Sequence, residues 1–350
     1  MSSDILVIGG GPAGLAAAIA ARFKGFDVTV VDAALPPIDK SCGEGILPAG
    51  VEILRRFGVQ LSTGDGFALR GIRFLSDGAS VEAGFESGFG LGLRRTRLHQ
   101  ILVDRASELG VRLLWGTRVV HPAEFSSCRW IVGADGQNSG VRRAAGLDAA
   151  SRDFRRFGFR RHYRISPWTD FVEVHWGSRC QIYVTPVSHD EVGIAMLSRE
   201  SHLRLDNALM EFPELQRRLQ GAGVSSAERG AMTVSRRLRR LFRGHTILIG
   251  DASGSVDAIT GEGLSLSFHQ AVALSEALCS GDLRSYQTEH RRLARRPASM
   301  ARLLLALDRF PPLRRSVLRM LAFDPPIFAQ LLTWDAAMTL KQPSLLRSRF

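Results

Sequence analysis

The period of the hydrophobic positions changes several times along the chain, and the changes mark its elements. Residues 4–8 form a short apolar run, 9–14 a glycine turn, 15–24 an alanine-rich helical stretch and 27–32 a β-branched run that ends on an acid. Together they predict a βαβ unit. An irregular, Gly-rich passage over 39–48 is followed by a predicted helix over 49–57. Strands are expected over 69–75 and 80–85, a helix over 96–109, and strands over 111–115, 118–121 and 130–134. Alternation then dominates from 157 to 197, predicting strands over 159–165, 172–176, 181–186 and 192–197 in an antiparallel sheet. A helical stretch over 203–219 precedes a buried strand over 245–250. Beyond Gly263 the pattern is helical, with Pro297, Pro311, Pro312, Pro325 and Pro326 expected to break it.

This order predicts an α/β protein with four parts. A Rossmann-type domain with a parallel sheet spans 1–156 and carries an insertion near 65–95. A substrate domain, mainly antiparallel sheet, spans 157–235; the chain returns to the first domain over 236–280, and a helical C-terminal region spans 281–350. The 350 residues are 45% hydrophobic, enough for a substantial core, and no apolar run reaches the roughly 18 residues of a membrane-spanning helix. Cys42, Cys128, Cys180 and Cys279 are too scattered for a disulfide framework or a metal motif. With no signal-peptide pattern at the N-terminus, a reducing, cytoplasmic setting is expected.

The net charge of +12 is concentrated in the tail, where twelve Arg and one Lys face four acids between Arg284 and Phe350. Nucleic acid is not the expected partner, because no reader motif is present and the basic residues do not interleave with aromatics. The tail suggests a lipid interface instead. Leu313, Val317, Leu318 and Leu321 share one helical face, while Arg314, Arg315 and Arg319 point elsewhere; Ile327, Phe328, Leu331, Leu332 and Trp334 follow. Residues 298–350 are therefore expected to rest on a membrane surface or to cover a lipophilic entrance.

Candidate chemistry begins at Gly9-Gly10-Gly11-Pro12-Ala13-Gly14, a Gly-x-Gly-x-x-Gly run placed directly after a strand and opening a helix. Gly9 allows the tight turn, Gly11 lets backbone approach a pyrophosphate, and Gly14 lets helix and strand pack closely. The helix N-terminus offers N–H groups to the phosphates. Asp32, closing the second strand, is placed to accept ribose hydroxyls.

Two later segments follow apolar strands: Val132-Gly133-Ala134-Asp135-Gly136-Gln137-Asn138-Ser139 and Ile247-Leu248-Ile249-Gly250-Asp251-Ala252-Ser253-Gly254. With the glycine fingerprint they resemble the three flavin motifs of the para-hydroxybenzoate hydroxylase fold, shared by class A flavoprotein monooxygenases and geranylgeranyl reductases. The resemblance spans about residues 4–280. It implies FAD as cofactor, with Gly250 and Asp251 at the ribityl chain or pyrophosphate, Asp135 near the flavin and nicotinamide side, and Arg97 at a flavin-contacting position. Thr260-Gly261-Glu262-Gly263 opens an apolar helix. Its glycines let N–H groups approach the flavin pyrimidine edge, where a helix N-terminus stabilises the charge of the reduced ring. The Lys40-Ser41-Cys42-Gly43-Glu44-Gly45 loop resembles the Cys-Gly loop that geranylgeranyl reductases place beside the flavin, which makes Cys42 a ring contact or a weak proton donor.

A single dinucleotide fingerprint leaves no second site for a permanently bound nicotinamide, so electrons are expected from NADPH or NADH as a transient donor, or from a separate donor. Disulfide reductases are excluded, and the Trp-x-Trp-x-Ile-Pro signature of flavin halogenases is absent. The expected reaction is hydroxylation of an aromatic or lipophilic small molecule through a flavin C4a-hydroperoxide. The alternatives are reduction of an isoprenoid or other lipid alkene, for which the Trp-Phe-Pro strand of the reductases is replaced by Tyr183-Val184-Thr185-Pro186, and a flavin-binding module without turnover. Cys42, Glu44, His162 and Tyr183 are the catalytic pocket candidates.

Overall fold

A computed structural model describes residues 3–61, 64–76, 78–120, 128–148 and 154–323. The predicted βαβ unit is strand Ile5–Ile8, helix Pro12–Arg22 and strand Val28–Asp32. Both strands are buried on both faces, which is why they read as continuous apolar runs. The alanines of the helix pack with no room to spare against the helix Gly263–Ser280 and the sheet. In the six-stranded sheet, Ile5–Ile8 is flanked by Val28–Asp32 and Trp130–Gly133, all parallel, with Ile5 opposite both Val28 and Trp130. Thr246–Leu248 and Arg112–Trp115 extend it, and Phe242–Arg243 closes one edge as an antiparallel hairpin.

A second sheet of nine strands carries the alternating segments. Phe154–Arg164, Glu191–Ser198, Cys180–Pro186 and Phe171–Trp176 lie side by side and antiparallel, and Arg229–Arg237 pairs with the other edge of the first. The strands Gly71–Ser76 and Ala79–Gly84 extend the other edge, Gly71–Ser76 running parallel to Phe171–Trp176, and the two-residue strands Gly254–Ser255 and Gly223–Val224 bring the count to nine. Residues 71–84 thus build the wall of the second sheet. A small third sheet joins Gly45–Ile46, Gly90–Gly92 and Phe67–Leu69.

Three local expectations are corrected. Residues 118–120 form no strand, and His121 lies outside the described residues. The stretch 203–219 is two short helices, Leu205–Leu209 and Pro213–Leu219, because Pro213 cannot continue a helix and instead starts a new one. Pro297 does not break the C-terminal region: it sits inside the helix Leu283–Arg309, whose buried Tyr286, His290, Leu293, Ala301, Leu304 and Leu307 anchor it on both sides of the proline. Packing there outweighs the lost hydrogen bond. Pro311 does open the next helix, Pro311–Phe323. Leu318 and Leu321 of that helix are buried as the pattern implied, but Leu313 is exposed, and Arg314, expected to point elsewhere, is buried near the Trp176 ring. The candidate interfacial residues 324–350 lie outside the described residues.

Candidate functional site

A cleft of about 1440 Å³ runs between the two large sheets and under the C-terminal helices. Pockets for one drug-sized ligand usually measure about 300–1,000 Å³, so this one has room for a dinucleotide and a further molecule. One part is walled by glycine-rich loops: Gly11 to Ala13, Ala134 to Asn138, Gly250, Asp251 and Gly261 to Gly263. The other is walled by apolar side chains, among them Phe74, Val174, Trp176, Leu304, Leu307 and Leu318. Phe74 and Trp176 stack with ring centroids 5.0 Å apart.

The glycines divide by role. A Cβ on Gly14 would stand 1.9 Å from the Gly9 carbonyl oxygen, and one on Gly9, at φ +113°, 2.4 Å from the Ala134 carbonyl oxygen, so Gly14 is required where helix meets loop and Gly9 where the loop meets the backbone that follows Trp130–Gly133. A Cβ on Gly11 would meet nothing nearer than Arg95 Nη2 at 3.9 Å. Gly11 is the N-cap of Pro12–Arg22, so its freedom serves a ligand at the helix N-terminus. Gly261 (φ +68°) and Gly263 likewise have open space where a side chain would be, and with half-buried Glu262 they present the N-terminus of the 18-residue helix Gly263–Ser280 to the cleft.

Asp32 braces the fingerprint. Its Oδ2 accepts from Gly10 N at 2.7 Å and Oδ1 from Ala34 N at 2.8 Å. His99 supports the same loop from below, its Nε2–H donating to the Gly10 carbonyl at 2.8 Å; burial holds its pKa below the ordinary value, which keeps the ring neutral. Asp135 accepts from Gly140 N (2.7 Å) and Val141 N (3.1 Å), capping the helix Gly140–Ala144, while its buried Oδ1 has no hydrogen-bond partner. It is therefore a helix-start carboxylate that also lines the cleft.

Gly250 (φ +59°) and Asp251 form the tight turn after Thr246–Leu248. Gly250 N donates to Gln270 Oε1 at 3.0 Å, and behind it His290 Nε2 lies 2.8 Å from Ser253 Oγ and 3.1 Å from Gln270 Nε2. Burial lowers the His290 pKa to about 4. The surrounding protein raises the Asp251 pKa, against the pull of Lys40 and Arg95. Both cations line the cleft beside the glycine-rich loops.

Arg97 is a correction. It points outward and pairs with Asp65 at 2.5 Å, half exposed, away from the cleft. Arg95, two residues earlier, takes the cleft side, and its buried Nε has no hydrogen-bond partner. Residues two apart on a helix face nearly opposite directions.

The loop bearing Cys42 is clamped to the second sheet. Thr185 Oγ1 donates to Gly43 O at 2.9 Å, and Arg160 pairs with Asp39. Glu44, buried and at φ +58°, bonds His162 Nε2 at 2.5 Å through Oε2 and accepts from Arg95 N at 2.7 Å through Oε1. His162 is completely buried, with Nδ1 2.7 Å from Ser226 Oγ. Glu44 and His162 therefore position the loop and the start of the helix Arg95–Glu108. Cys42 reaches the cleft; burial raises its pKa, and Glu44 N bonds its sulfur at 3.4 Å. Tyr183 also lines the cleft, its OH donating to Ile259 O at 3.1 Å just before Gly261, and burial raises its pKa. Among the described residues no His, Cys, Asp and Glu group is arranged to hold a metal.

A group with a pyrophosphate, ribose hydroxyls and a flat ring edge fits this cradle: Gly11, Gly261 and Gly263 leave space a Cβ would fill, and buried polar atoms of Arg95 and Asp135 await partners. Comparison with known proteins agrees. The profile of the FAD binding domain family matches residues 2–284. A menaquinone reductase of Mycobacterium tuberculosis is 29% identical over 321 residues, covering 81% of this chain and 78% of that protein. A rifampicin monooxygenase of Rhodococcus hoagii is 32% identical over 169 residues, covering 43% of this chain and 35% of its own. Among solved structures, the flavin-dependent brominase Bmp2 superposes with a TM-score of 0.74 at 20% identity, covering 98% of this chain and 100% of its own, a likeness of fold alone.

Proposed function

The chain belongs to the FAD binding domain family and is an FAD-dependent oxidoreductase, and from that premise we propose that it saturates a carbon–carbon double bond of a lipophilic, isoprenoid-type substrate. When bound and reduced by NADPH or NADH, FAD would supply the hydride. The carrying observation is the apolar part of the cleft, walled by Phe74, Val174, Trp176, Leu304, Leu307 and Leu318, which suits a hydrocarbon chain. The menaquinone reductase likeness over most of the chain supports the same reading.

The chain's own residues have assignable tasks. N–H groups at the start of Pro12–Arg22, with Arg95 and Lys40, neutralise the pyrophosphate, and Asp32 has lone pairs left for the ribose. The N-terminus of Gly263–Ser280, steadied by the Tyr183–Ile259 hydrogen bond, would stabilise negative charge on the ring of bound flavin. Cys42 remains a thiol because burial disfavours its thiolate, so Sγ–H can supply the proton that completes an alkene reduction. The apolar walls exclude water from both transfers.

A second reading, oxygen insertion into a lipophilic small molecule, is favoured by the rifampicin monooxygenase likeness over 43% of the chain. One experiment separates the two. With NADPH or NADH and a prenyl alcohol under strict anaerobiosis, saturation of the alkene is expected, visible as a two-mass-unit gain, and Cys42→Ala should slow it without slowing flavin reduction. A product formed only in air, carrying one added oxygen, would overturn the reductase reading.

A further inference from the structure

Five of the eleven exposed large apolar side chains among the described residues fall within 303–323: Leu303, Phe310, Leu313, Met320 and Phe323. They are ordered. Leu313 and Met320 are seven residues apart on Pro311–Phe323, so this pair lies along one helical stripe; Leu303 lies near the end of Leu283–Arg309, and Phe310 caps that helix at the turn between the two. Exposed Arg302, Arg309 and Arg319 directly precede Leu303, Phe310 and Met320. Between Arg284 and Phe323 ten arginines face two acids. Leu303 and Met320 also line the cleft, so its apolar part reaches the surface at this stripe.

An exposed apolar stripe edged by arginines matches one chemistry on both counts: acyl chains beneath anionic headgroups. We infer that the two C-terminal helices dock this stripe on an anionic lipid bilayer, and that the cleft mouth beside Leu303 and Met320 opens to the membrane so that substrate passes from lipid to protein without crossing water. The contact is peripheral, since no helix among the described residues is long and apolar enough to cross a membrane. Basic and apolar parts contribute separately. The arginines give selectivity for anionic lipid and sensitivity to salt; the apolar side chains give retention once docked.

The substrate route rests on the alkene-reduction reading, but docking itself can be measured with no substrate present. The FAD-loaded protein is sedimented with vesicles of equimolar phosphatidylglycerol and phosphatidylcholine, and with phosphatidylcholine vesicles alone. Pelleting with the anionic vesicles, reduced by salt, is expected. The double variant Phe310→Asp/Leu313→Asp, neither residue lining the cleft, should lower the vesicle partition coefficient roughly tenfold or more while keeping its flavin. The triple variant Arg302→Gln/Arg309→Gln/Arg319→Gln should lose the preference for anionic lipid. A wild-type protein that stays in solution with both vesicles at low salt, or a double variant that pellets as wild type does, overturns the inference. So does a wild-type dimer that the double variant converts to monomer with vesicle binding unaltered, since the stripe would then serve a second copy. Failure of alkene reduction in the presence of vesicle binding would overturn the reductase reading and leave the docking face standing.

Discussion

His290 gives a sharp test of how the cofactor turn is supported. It lies 8% exposed behind Gly250–Ser253, against Ser253 Oγ and Gln270 Nε2. Burial lowers its pKa from 6.5 to about 4. Above pH 6.5 the imidazole is neutral in both the folded and the unfolded chain and contributes no pH dependence. As pH falls from 6.5 towards 4, the unfolded chain takes up a proton that the folded chain refuses, so stability is lost across that window. The full loss is about 3 kcal/mol, of which roughly 2 kcal/mol is incurred by pH 5. His290→Gln keeps a polar side chain beside Ser253 and Gln270 but cannot titrate. Urea unfolding of both proteins at pH 7.5 and pH 5, at equal FAD concentration, isolates the histidine, because every other titrating group cancels in the difference. The variant should gain roughly 2 kcal/mol on the wild type between the two pH values. A stability difference that is the same at both would refute the account of a neutral, buried imidazole.

Three further outcomes follow from the cleft geometry. Gly11→Val should purify without yellow FAD yet keep its circular dichroism spectrum, whereas Gly14→Ala should lose roughly 1–3 kcal/mol of stability, because only the second added carbon collides with backbone. Full FAD occupancy in Gly11→Val would mean that the fingerprint does not hold the pyrophosphate. Arg95→Met should weaken FAD binding roughly tenfold or more, as expected for a lost charged hydrogen bond, while Arg97→Met should bind as wild type and differ in stability by less than about 1 kcal/mol; fluorescence titration of the apoprotein reads both. Gly261→Phe, at a left-handed position facing open space, should cost about 1–2 kcal/mol in folding and slow flavin reduction more severely, and an unchanged reduction rate in stopped flow would remove the helix N-terminus from the ring edge.

What the sequence determined on its own is local. Ile5–Ile8, the Gly9 to Gly14 turn, the alanine helix and Val28–Asp32 follow from β-branching, from glycine at a positive φ and from small residues at a tight helix–sheet contact, all encoded within 28 residues of chain. The turns at Gly250-Asp251 and Gly261-Glu262-Gly263 were legible for the same reason. Tertiary structure decided whatever depended on helical phase or distant partners. Which of Arg95 and Arg97 faces the cleft depends on where the helix Arg95–Glu108 starts and which face it buries, and two residues of offset reverse the answer. The strand Arg229–Arg237 carries no clear alternation, because one side pairs with Phe154–Arg164 while Ala231 to Val234 line an open cleft instead of a core. Pro297 is held helical by contacts on either side of it. The buried polar pairs were the least legible: Glu44 meets His162 across 118 positions and Arg156 meets Asp308 across 152, and a polar group buried at that separation leaves no periodic trace in the chain. Such groups are stable only when the fold delivers their partners, so their roles become readable only once the chain has closed around them.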